Sequence, residues 1–174
     1  MTATVPGLAM TGLNPQVTYL QDSAAVAPTA GTNNETILTL KATGNKDSTP
    51  VTGTLKLTLS PVLLLAQAAK AGDAALTGKT LSGPSVMTPS TYATQALANA
   101  KTKLETQLST VSATSVNYDT TNNWPTNTLQ DGTAVAIPTI GGYASTINAA
   151  ALSFPDSAAV STWQSVITVQ VQYI

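Results

Sequence analysis

From Val166 to Ile174 the chain reads V-I-T-V-Q-V-Q-Y-I, with Ile167, Val169, Val171 and Tyr173 on one side and Thr168, Gln170 and Gln172 on the other. Period-two alternation in residues that suit a half-buried pleated surface predicts a strand. Because it runs to the last residue with no polar tail, the pattern predicts a terminus tied into a sheet. Thr36–Ala42 and Thr52–Ser60 alternate in the same way, Leu55, Leu57 and Leu59 inward and Thr54, Lys56 and Thr58 outward. They predict a hairpin joined through the polar stretch Gly44–Pro50, a connection longer than a two-residue turn. Gln16–Gln21, Ser112–Tyr118, Thr133–Ile137 and Ile147–Phe154 predict further strands, with Gly141-Gly142 between the last two read as turn residues. Pro155-Asp156-Ser157 predicts a turn into the final strand. Ala24–Asn34 and Asp119–Asp131 predict loops, and Thr77–Thr88 a loop or irregular strand.

Two stretches break the alternation. Pro61 ends a strand and opens a short helix, Val62–Ala71, that is apolar all round and stops at Gly72. Thr88-Pro89 reads as a helix cap and first helical residue. In the following Ser90–Thr110 and just beyond, Ala93, Leu97, Ala100, Leu104, Leu108 and Val111 recur at three- and four-residue steps. That stripe predicts an amphipathic helix lying on a sheet, its outer face carrying Lys101, Lys103 and Glu105. The fold expected is mainly β: a β-sandwich or single jelly-roll-like domain over residues 1–174, with one long and one short inserted α-helix. Residues 1–15, broken by Pro6, Gly7, Gly12 and Pro15, predict an extended N-terminal arm. Trp124 is read as a lid on the core in preference to an interface anchor, and Trp163 as a core residue.

Composition narrows the chemistry. The chain has no Cys and no His, its seven basic residues are all Lys, and 9% of its residues are charged, against about 25% in an average domain. Thiolate and imidazole metal sites, the commonest general base and bidentate guanidinium recognition are all missing. A net charge of −1 gives no footprint for nucleic acid or an anionic membrane. The acidic residues are scattered, and Ser82-Gly83-Pro84-Ser85 lacks the flanking pattern of a phosphate loop or nucleophile elbow. Asn117–Asn123 offers oxygen ligands without the carboxylate density of a calcium loop, and reads as an Asx-rich turn. Asn34-Glu35-Thr36 fits a glycosylation sequon that matters only on export. Lys56 reads as a solvated strand residue, not a cross-linking one. The expectation is a protein with no catalytic, cofactor or metal site and no small-molecule substrate.

Low charge without disorder suits a surface covered by neighbours. The function expected from this is a non-enzymatic structural subunit of a bacteriophage virion (capsid, decoration or tail) whose partners are copies of itself and other virion proteins. A Met1 start with no Lys before Lys41 fits no secretory peptide, and favours the virion over export. Candidate assembly contacts are Val5, Leu8, Met10, Leu13, Trp124 and Tyr173.

The second reading is a fimbrial subunit on the cell surface. With aromatic Tyr173 next to last and Val171, Val169 and Ile167 at alternate positions behind it, the last strand resembles the closing strand of chaperone–usher pilins. The resemblance implies a strand bound by an assembly chaperone, and an N-terminal extension that completes the neighbouring subunit's sandwich by strand addition. Ser161 stands where that family usually carries Gly, and Pro6 cannot donate to a ladder. A third reading, a secreted surface- or carbohydrate-binding module, has few aromatics to build on.

Overall fold

The computed structural model describes residues 2–10, 15–32, 35–69, 72–81, 94–124, 137–155 and 160–173. Eleven strands among them form two sheets. The large sheet runs β1 (Thr2–Met10), β9 (Ile137–Ser153), β6 (Thr49–Ala68), β5 (Thr36–Lys46) and β10 (Thr162–Gln164). At its margins β4 (Thr29–Ala30) pairs with β5, β7 (Ala75–Leu81) with the far half of β6, and β8 (Ser115–Trp124) in parallel with β7. The small sheet is β11 (Thr168–Tyr173), β2 (Pro15–Gln21) and β3 (Ala24–Val26). One α-helix, α1 (Thr94–Glu105), followed by a 3-10 turn at Leu108–Val111, is inserted between β7 and β8. The result is the expected β-sandwich with a helix inserted.

β6 sets the layering. Its odd positions Leu55, Leu57, Leu59, Leu63 and Leu65 pack with Val17 and Tyr19 of β2, Leu38 and Leu40 of β5 and Tyr143 of β9. Its even positions change character along the strand. Thr54 and Lys56 are exposed, whereas Val62, Leu64, Ala66 and Ala68 pack under α1 with Ala96, Ala100 and Leu104. A strand covered on both faces reads as an unbroken apolar run. The helix expected at Val62–Ala71 is therefore the second half of a strand. Pro61 does not end it either: pairing with β5 finishes at Leu59 and pairing with β7 begins at Leu64. Pro61 lies in the interval, opposite Ser145 of β9, where among the described residues the other edge of β6 has no ladder to interrupt.

Three further corrections come from backbone geometry. Asp47 and Ser48, both at positive φ (47° and 68°), join Lys46 directly to Thr49. This is the two-residue turn with both centres left-handed that matches strand twist, so the β5–β6 hairpin is longer and its register tighter than expected. Gly141 and Gly142 make no turn: they lie inside the continuous β9. Gly142 is where α1 touches the sheet, and a Cβ there would run into the carbonyl oxygen of Ala100 and the nitrogen of Leu104. Gln107 Nε2 donates to the Gly141 carbonyl beside it. The Asn117–Asn123 stretch, expected as a turn, is strand β8, with Asp119 3.6 Å from Lys79 Nζ. The helix cap at Thr88-Pro89, the loop beyond Trp124, Thr133–Val135, Asp156-Ser157 and Asn34 of the sequon lie outside the described residues.

Among the described residues a polar contact crosses between the sheets deep in the core. The hydroxyls of Tyr19 and Tyr143, 1% and 0% exposed, are hydrogen-bonded at 3.2 Å. Burial pushes the ionisation of both above the usual tyrosine range, so both stay neutral. Tyr143→Phe strands the Tyr19 hydroxyl in an apolar core and is expected to cost about 1–3 kcal/mol of unfolding free energy. Tyr19→Phe removes the same contact from the other side, and the double variant costs less than the sum of the two single ones. Urea midpoints of the four chains measure this.

Candidate assembly site

Strand edges are the chemistry this molecule exposes. β1 pairs antiparallel with β9 in two segments, Thr2–Val5 against Ala144–Gly141 and Leu8–Met10 against Thr139–Ile137. Between Val5 and Leu8 the N-terminal strand advances one residue more than its partner. Pro6 and Gly7 occupy that bulge, so the residue that cannot donate sits where no donor is needed. The N-terminal stretch expected as an extended arm is thus an edge strand on its own domain, laddered to β9 alone among the described residues.

β9 outruns it. Past Ala144 the strand continues to Ser153, and among the described residues its β1-side edge has no partner there. Leu152 and Ala150 face the same way as their cross-strand partners Leu55 and Leu57, which belong to the core. Yet Leu152 is 39% exposed and Ile147 54%. An unpaired edge with apolar side chains turned to the core side is a template for another strand. Asn148 fixes its near end, donating from Nδ2 to Glu35 Oε1 and to Ser60 Oγ, both at 2.8 Å.

Of the expected contact residues, Val5, Leu8 and Met10 lie on β1, opposite Gly141, Thr139 and Ile137. Tyr173 lies at the end of β11 opposite Pro15, and Trp124 ends β8 opposite Leu81. Leu13 lies outside the described residues. The structure brings the β1 residues together on one ladder and places Tyr173 and Trp124 on two other strands. Ile147 and Leu152 were missed. Their strand was foreseen, but which of its apolar residues lack cover depends on where β1 stops. Trp163, expected in the core, is half exposed on the edge strand β10.

Electrostatics add little at these edges. Apart from Glu35, which holds Asn148, a group of partnered charges lies around α1: Tyr118 donates to Glu105 Oε1 at 2.9 Å, and Lys101 Nζ stands 4.5 Å from the Tyr118 ring centre. Burial, and then that bond to Glu105, raises the Tyr118 ionisation above its usual range. Among the described residues no group of three or more acidic side chains converges as a metal site would require, and no helix is long and apolar enough to cross a membrane.

The family model described as fimbrial, major and minor subunit, matches the sequence over residues 1–174. The chain belongs to that family. No curated protein matches it in sequence. Membership in the fimbrial subunit family overturns the virion reading, together with its capsid, decoration and bacteriophage associations. Low charge, missing catalytic groups and a β-rich plan with a helix insert are what any lattice-forming subunit needs. They carried no information on which lattice, whereas the terminal-strand resemblance did. Self-association is what a fimbrial subunit does, so copies of the same chain remain its partners, and the virion proteins do not.

Proposed function

We propose that this chain is a structural, non-enzymatic subunit of a cell-surface fimbria and polymerises by exchanging β1 between neighbours. The observation that carries the reading is the attachment of β1: one edge, one partner strand and a bulge halfway, on an N-terminal segment joined to β2 through residues 11–14 alone. Passing β1 to the next subunit re-forms the same ladder on that subunit's β9. Donor and acceptor contacts are then identical in the closed monomer and the polymer. The balance between them rests on the short connection and on subunit concentration, not on new chemistry.

Because the natural chain has no cysteine, a cross-link reports the exchange directly. In a chain carrying Thr2→Cys and Ala144→Cys, residues paired across the ladder, oxidation of assembled fibres is expected to give a ladder of covalent multimers on a non-reducing gel. Oxidation of the monomer gives a closed single band. Fibres that yield only the closed band refute strand exchange.

A further inference from the structure

β9 holds one residue more than β6 where the two strands pass Thr58 and Leu59. Leu59 stands opposite Ile147 and Thr58 opposite Ala149, with Asn148 left between. An extra residue of this kind reverses the face that every later side chain takes. Before it, odd-numbered Tyr143 lies on the core side, opposite Leu63. After it, even-numbered Ala150 and Leu152 stand opposite the core residues Leu57 and Leu55. The apolar pattern alone does not demand this. Ala149, Ala150 and Ala151 are identical, so pairing without the bulge would lay Ala149 and Ala151 against Leu57 and Leu55 and turn Leu152 to the outer face. Leu152 is already 39% exposed, so the slip forfeits only part of its apolar cover.

We propose that Asn148 is a register lock, which selects the bulged pairing of β9 with β6 over the slipped one and so keeps Leu152 beside Ile147 on the core side of the open edge. Asn148 Nδ2 donates to Glu35 Oε1 and to Ser60 Oγ, and its Oδ1 accepts from Thr146 Oγ1 at 3.2 Å. Ser60 is buried. Glu35 is itself held in place: its Oε2 accepts from Thr32 Oγ1 at 3.3 Å, and its carbonyl accepts from the Gly31 amide at 2.8 Å. The bridge therefore runs from the loop before β5, across β6, to the extra residue of β9. Without the bulge Asn148 would become an ordinary ladder residue opposite Thr58, two positions along β6 from Ser60 and roughly 6–7 Å away along the strand. The hydrogen bonds thus favour one register where three alanines favour neither. What the edge is for rests on the assembly reading above; the register itself does not.

The test reads the register in the monomeric full chain by disulfide trapping. Lys56 stands opposite Ala151 in the bulged register and would stand opposite Ala150 in the slipped one. Directly opposed residues lie about 4.5–5.5 Å apart at Cα, within the reach of a disulfide, whereas the neighbouring residue points to the other face. With Asn148 present, the pair Lys56→Cys and Ala151→Cys is expected to close on mild oxidation, and the pair Lys56→Cys and Ala150→Cys to stay open. Adding Asn148→Ala is expected to raise the 56–150 yield relative to 56–151 by about 5- to 150-fold, the range of the two donated hydrogen bonds. Glu35→Ala, a change at a partly exposed side chain, moves the ratio the same way by about 2- to 12-fold and decides the question where Asn148→Ala fails to give a cooperative thermal melt. Glu35→Gln keeps an acceptor oxygen and keeps the ratio of the natural chain. The lock is refuted if 56–150 closes as readily as 56–151 in the natural background, or if neither alanine variant raises it. Chains that never exchange β1 give the same ratios, so failure of the lock and failure of the assembly reading are separate results.

Discussion

A chain lacking residues 2–10 is expected to stay monomeric under conditions where the full chain forms fibres, and a synthetic peptide of residues 2–10 is expected to restore its lost stability. The deletion bares the β9 edge from Ile137 to Ala144 along the same line as the already open edge beyond it. Among the described side chains the buried members of the two core clusters come chiefly from β2, β5, β6, β7, β9 and α1, all of which the truncated chain keeps. Added at about 100 times its dissociation constant, the peptide stabilises the folded state by about 2.7 kcal/mol. Urea titration with and without peptide measures that shift, and electron microscopy shows whether fibres form. Fibres from the truncated chain would exclude β1 as the exchanged strand.

Removing Val169–Ile174 is expected to have a larger effect of a different kind: no cooperative unfolding transition remains. β11 pairs with β2 along its whole length, from Thr168 opposite Leu20 to Tyr173 opposite Pro15. Val169 and Val171 pack against the cluster that holds Tyr19, Leu40, Leu63 and Tyr143. Without them β2 keeps only the three-residue β3, and one whole layer of the sandwich loses its cover. Circular dichroism through a thermal ramp distinguishes the outcomes. A cooperative melt from the shortened chain would mean that the small sheet is dispensable. The two expected results set the ends of the molecule apart: the first strand is the one proposed to be exchanged, and the last packs against the core.

That contrast was half legible in the sequence. β11 announced itself because one of its faces is buried and the other wet, so composition alternates. The leucines of β5 and β6 did so for the same reason. Leu63–Ala68 did not, since a strand between two layers has no wet face and its apolar run mimics a buried helix. The glycines of β9 were misread for a related cause. Gly142 is required by the close passage of α1, a tertiary fact with no local mark beyond the glycine itself. Trp163 was placed inside because it stands just before the final strand, but it belongs to a separate edge strand of three residues. The candidate site was the least legible part, because an open edge is defined by where another strand ends.

The double cover of β6 also bears on what happens before the molecule is folded. From Ser60 to Ala69 the chain reads S-P-V-L-L-L-A-Q-A-A, without a single charge, and Pro61 stands near its start as the only residue to discourage cross-β stacking. Leu63 and Leu65 find β2 and β5 already made, but β9 and β7, which pair with the segment, and α1, which covers its even positions, all come from later in the sequence. A nascent or newly exported chain therefore carries an aggregation-prone stretch until its C-terminal half arrives. Slow or interrupted synthesis would expose that stretch for longest.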